Sequence, residues 1–114
     1  MKHHNIAISK VGTHTVLTPR GALTFQNCEE LENLFKDLTD KGEDHLIVDC
    51  KEVSLMDSKT LEILLQMHTM LSGMNGVLKL CGMNDVCWDI MIVTRLINIL
   101  HVFKDFHGAI KREL

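Results

Sequence analysis

Two short apolar runs, HLIVDC at 45–50 and GVLKLC at 76–81, constrain this chain more than any other feature. Each is too short for a helix and nearly continuous in apolar residues, the pattern of a strand covered on both faces. Between them, leucines and methionines recur at helical spacing from Ser58 to a stop at Gly73. Strand, helix and strand in that order form the unit of a largely parallel sheet flanked by helices.

The remaining segments extend the same plan. Residues 6–11 and 15–18 read as two strands of a hairpin turning near Gly12-Thr13, after which Pro19 and Gly21 break the ladder. Asn27 followed by Glu30 matches a capping box, and Leu31, Leu34, Phe35 and Leu38 supply the apolar stripe of a helix ending near Gly42. Asn84 is placed to cap a third helix running to about Ile97. Residues 101–104 then suit a last short strand, and the tail from Asp105 a terminal helix. No repeat or linker interrupts the 114 residues, so residues 1–114 are expected to form one α/β domain. Its mixed, largely parallel sheet has about four to five strands and about four flanking helices.

Composition narrows the functional classes. A net charge of −3 gives no general attraction for nucleic acid, and Lys111 with Arg112 is too little for a basic stripe. MKHHNIAISK has no apolar signal core, and CWDIMIVTRLINILHVF is interrupted by Asp89 and Arg95, so a cytoplasmic chain without membrane insertion is expected. Cys28, Cys50, Cys81 and Cys87 lack metal-site spacing and read as small buried hydrophobes. The seven histidines form no ligand set, and adjacent His3 and His4 would point to opposite faces of a strand. No metal or cofactor is therefore expected. There is no GxSxG elbow, P-loop, GxGxxG or HExxH. Asp49 and Asp57 lack a general-acid partner, and an enzyme built on His68 or Cys81 is the least supported reading.

The junction MDSKTL carries the most specific local signal. Asp57 suits an N-cap accepting from the N–H of Lys59 or Thr60, with Met56 and Leu61 placed as a hydrophobic staple. That reading explains the stretch as structure alone. It also sets the Ser58 hydroxyl at the first helical position, beside unpaired N–H groups that tolerate an added phosphate.

The stretch LIVDCKEVSLMDSKTLEILL resembles the signature of STAS domains (sulphate transporter and anti-sigma antagonist), particularly stand-alone bacterial anti-anti-sigma factors. LTPRGALTFQNCEEL is similar to the turn into that family's first helix, and GVLKLCGMNDVCWDIMIVTRLINILHVF to its closing strand, helix and short strand. The resemblance implies a STAS-like fold and a non-enzymatic role as an anti-sigma factor antagonist. It implies that Ser58, after Asp57, is phosphorylated by a partner anti-sigma factor with serine kinase activity. Lys59 and Thr60 stand where the family often has serine and glycine, Lys59 as a possible phosphate partner and Thr60 as a second hydroxyl. Thr24 stands where the family often has an acid. The partner surface implied by this comparison comprises Thr24, Met56, Asp57, Ser58, Lys59 and Thr60.

Two further features concern surfaces. Ile63, Met67, Met70 and Met74 form a second apolar stripe beside Leu61, Leu64, Leu65, His68 and Leu71. Adaptable methionines suit a partner or homodimer face, so Ile63 and Met67 join the candidate binding residues, with core filler as the alternative. The third helix is apolar nearly all round, which suits coverage by another chain. The alternative to a phosphorylation switch is thus a constitutive scaffold subunit of a signalling or transporter assembly.

Overall fold

The computed structural model describes residues 5–111; His3, His4 and Arg112 lie outside them. Strands β1 (Ile6–Val11) and β2 (His14–Pro19) form the expected antiparallel hairpin, in register from Ile6↔Pro19 to Val11↔His14. Gly12 takes a left-handed φ of 61° at the turn, a conformation glycine adopts without a Cβ clash. Pro19 does not break this ladder. It closes β2 opposite Ile6, at a strand end that tolerates a missing N–H. Nor does Gly21 end strand structure: β3 (Gly21–Leu23) pairs in parallel with β5 (Val53–Met56) as a separate two-stranded sheet.

Helix α1 (Cys28–Asp40) buries Leu31, Leu34, Phe35 and Leu38, the predicted stripe. Its start differs from the expected capping box, since the Asn27 side chain makes no cap bond. Asn27 Oδ1 accepts from the Thr24 N–H at 2.8 Å and Nδ2 donates to the Ala22 carbonyl at 2.7 Å. That side chain braces the loop instead.

Strands β4 (His45–Asp49), β6 (Val77–Cys81) and β7 (His101–Phe103) complete a five-stranded sheet of order β1-β2-β4-β6-β7. All its neighbours pair in parallel except β1 with β2. Helices α1, α2 (Ser58–Gly73) and α3 (Asp85–Val93) lie on the crossovers. They share one core with Leu17, Leu46, Val48, Leu78 and Leu80 of the sheet. The opposite face has a smaller cluster of Val16, Ile47 and Cys81 beneath Ala109 of α4 (Phe106–Lys111). There Lys79, 1% exposed, donates to the Ala109 carbonyl at 2.8 Å and ties α4 to β6.

Helix α3 is shorter than its sequence suggests. It ends at Val93, Arg95 adopts a left-handed φ of 66°, and Leu96–Asn98 form a 3₁₀ turn. All four cysteines are buried and unpaired. Among the described residues no helix is long and apolar enough to cross a membrane.

Candidate functional site

The candidate site lies where the two-stranded sheet delivers the chain into α2. After Met56, Asp57 stays extended at φ −102° and ψ 179°, while its carbonyl already accepts the first helical bond from Leu61. Its carboxylate reaches in two directions. Oδ1 accepts from the Thr60 N–H at 3.1 Å, the predicted cap, and Oδ2 accepts from the Phe25 N–H at 2.7 Å. The Asp57 N–H donates to the Leu23 carbonyl at 3.1 Å. One residue therefore fastens the start of α2 to the loop between β3 and α1. Burial alone would raise the Asp57 pKa, but the N–H bonds from Thr60 and Phe25 outweigh it and hold the carboxyl below its ordinary value. The anion is thus the form the site maintains.

Ser58 follows at the first helical position with an exposed side chain. Lys59 is exposed as well, but its ammonium is engaged with Glu62 at 2.9 Å, one turn on, and that hydrogen bond chiefly raises its pKa. Thr60 corrects the sequence reading. It is fully buried, and its hydroxyl donates to the Leu23 carbonyl at 2.8 Å, so it offers neither a second modifiable hydroxyl nor contact surface. Thr24 is half-buried, its hydroxyl accepting from the Gln26 N–H at 3.3 Å within the loop.

Met56, Ile63 and Met67 also turn inward, at 3%, 2% and 5% exposure. Helix α2 packs against β6 on one side and α1 on the other, so its first apolar stripe and the Ile63 and Met67 half of the second are core. Only Met70 and Met74, near its end, stay exposed. His68 is half-buried with its ring 5.5 Å from that of His101. The loop held by Asp57 adds a surface residue, Phe25, that the sequence reading did not single out. Phe25 is 71% exposed next to Asp57, and Leu55 and Val86 are exposed too. Asn84 brings the start of α3 to this edge, its Nδ2 donating to the carbonyls of Val53 (3.2 Å) and Ser54 (3.1 Å). Its Oδ1 accepts from the Cys87 N–H at 2.8 Å as the predicted cap. Phe25 was legible only as an apolar residue stranded in a turn, a weak signal by itself.

A sheet with one antiparallel edge strand, three crossover helices on one face and a capped serine at a strand-to-helix junction defines the class of fold. The family model of the STAS domain matches residues 5–109, and the chain belongs to that family. None of the curated protein sequences matches it. Among solved structures it resembles the Thermotoga maritima protein TM1081, described as a candidate anti-sigma factor antagonist. That match has a TM-score of 0.89 and 19% identity, over 96% of this chain and 93% of that one. An anti-sigma factor antagonist from Mycobacterium paratuberculosis gives 0.84 at 15% identity, over 93% and 90% of the two chains. The Bacillus cell fate determinant SpoIIAA, in its phosphorylated form, gives 0.72 at 17% identity, over 94% and 97%.

Proposed function

We propose that this STAS domain is an anti-sigma factor antagonist whose partner binding is switched by phosphorylation of Ser58. The carrying observation is the exposed Ser58 hydroxyl immediately after a carboxylate locked by two backbone N–H groups. Unmodified, the edge formed by Phe25, Leu55, Asp57, Ser58 and Val86 docks on an anti-sigma factor with serine kinase activity, which releases the sigma factor. The partner then transfers the γ-phosphoryl group of its own ATP to Ser58 Oγ, leaving ADP, and the hydroxyl proton goes to a base on the partner.

A phosphoserine brings about −1.5 to −2 charges beside the Asp57 carboxylate. The helix terminus offsets only about 0.3–1 kcal/mol of that at an exposed end. The excess charge falls where an apolar patch must be desolvated by the partner. A loss of ~3 kcal/mol weakens binding more than a hundredfold, within the range that unpaired interfacial charge supplies. The chain itself carries out no chemistry in this scheme. Incubating it with the kinase partner and ATP, then mapping the phosphate by mass spectrometry, tests the assignment. Phosphate on Ser58 and none on Ser58→Ala is expected; phosphate elsewhere, with Ser58 unmodified, refutes it.

A second reading has its own observation. Val86, Ile92, Val93 and Ile99 are 49–80% exposed, an apolar excess around α3 that suits a permanent assembly. A scaffold subunit would bind its partner equally well with Ser58→Asp, and Val93→Asp would release it.

A further inference from the structure

Among the described residues, the three crossover helices cover one face of the main sheet and leave the other to the six residues of α4. A sheet of mostly parallel strands is ordinarily covered on both faces. Helix α4 packs over β6 and β7, and between its start and the β1–β2 hairpin remains a cleft of about 460 Å³. That is the size of a small-molecule site, roughly 300–1,000 Å³. It opens at the carboxyl ends of β2, β4 and β6, where ligands of open α/β sheets bind. Strand alternation sets its lining: Ser9 pairs with Val16 on adjacent strands, and Thr18 and Asp49 project from the same face.

We propose that this cleft binds a small organic cation, a primary ammonium on an apolar body, with the Asp49 carboxylate as its anchor. Asp49 is only 6% exposed, and the cleft is bounded by it. Its Oδ1 accepts a long bond from the Lys51 N–H at 3.2 Å. Among the described residues no nitrogen donor lies within hydrogen-bond distance of Oδ2. The nearest cation is Lys51 Nζ at 4.0 Å, on a side chain 64% exposed. The neighbouring Cys81 thiol is a weak donor. Burial first, then the charges of Asp49 and Asp105 and a hydrogen bond to Asp49, push its pKa up to about 12, so it stays neutral and supplies the carboxylate no cation. With Lys51 no nearer than 4.0 Å, an ammonium seated in the cleft can approach the carboxylate at direct hydrogen-bond distance.

The rest of the cleft fits that choice. Asp105 adds a second carboxylate, with Oδ1 taken by the Gly108 N–H at 2.7 Å, so the lining carries two acids against the one Lys51 ammonium. Local charge of that sign favours cations and repels anions. Thr18 and Ser9 hydroxyls can accept further N–H bonds, while Val16 and Phe106 offer apolar wall. Gly82 keeps the carboxylate accessible: it sits at φ 73°, and a Cβ there would lie 2.9 Å from Asp49 Oδ1.

The test is an NMR titration of the isotope-labelled full chain with phenethylammonium, phenethyl alcohol and phenylacetate in parallel. Saturable shifts of the Thr18, Asp49 and Gly82 amides are expected with the ammonium. Binding of the alcohol should be at least about tenfold weaker, and phenylacetate should give no saturable shift. Asp49→Asn should abolish binding of the ammonium. Ser9→Trp, on exposed β1, fills the cleft while leaving Asp49 intact, and should abolish it too, which covers an Asp49 variant that fails to fold. Absence of saturable shifts with the ammonium, equal affinity for the alcohol, or undiminished binding in Ser9→Trp overturns the proposal.

Discussion

Asp57 carries more of the site than its neighbours because a carboxylate has two oxygens and both are used. One caps α2 through Thr60 and the other holds Phe25 beside Ser58. Asp57→Ala is therefore expected to lower the melting temperature by about 4–8 °C, the scale of a lost cap in a domain this small. It should also loosen the Phe25 loop, read as faster amide exchange at Phe25; Asp57→Asn should preserve most of both. The Asp57 pKa is held below its ordinary 3.8, so its contribution is present above that value and is lost as pH falls through the lower folded pKa. Thr60→Val removes a buried hydroxyl, but the Leu23 carbonyl keeps the Asp57 N–H. A loss of about 1 kcal/mol in urea unfolding is expected, not the full penalty of an orphaned acceptor. The cap at Asp57 was legible because cap chemistry is local. The burial of Thr60 was not, since its bond partner lies 37 residues away.

At the scale of elements, legibility followed length and periodicity. The β1–β2 hairpin, the stripe of α1 and the core strands all announce themselves over five or more residues. The β3–β5 pair does not: three and four residues, with the middle positions of β5 exposed, give no alternation to read. The early end of α3 was equally hidden, because Arg95 takes a left-handed φ without a glycine to mark it. The second stripe of α2 was ambiguous because a helix packed between a sheet and another helix buries two faces, which periodicity cannot distinguish from a partner surface. Helix α4 rests on a face that holds His14, His45, Lys79 and His101. Burial first, then the Lys79 and His45 charges, lower the His14 pKa; burial, His68 and Lys79 lower that of His101. Both histidines are thus disfavoured as cations in the folded chain. Stability is fully present above their ordinary 6.5 and should decline as pH falls below it. Urea midpoints measured across that range should flatten in His14→Gln combined with His101→Gln.

For the whole molecule, one helical layer carries most of the core, and the molecule's two candidate surfaces lie on different sides of the sheet. Leu64, fully buried on α2, lies in the main cluster, and Leu64→Ala should cost about 2–5 kcal/mol in urea unfolding. The apolar edge at Phe25, Leu55 and Val86 belongs to the Ser58 side, while the Asp49 cleft opens on the side that the crossover helices leave bare. The most direct test of the proposed phosphorylation switch first captures partners on the wild-type chain and takes forward an anti-sigma factor with serine kinase activity recovered among them. Its affinity for wild type and for Ser58→Asp is measured by calorimetry, with Ser58→Ala as the neutral control. More than a hundredfold weakening in Ser58→Asp, with Ser58→Ala close to wild type, is the predicted result; equal binding by all three would contradict it.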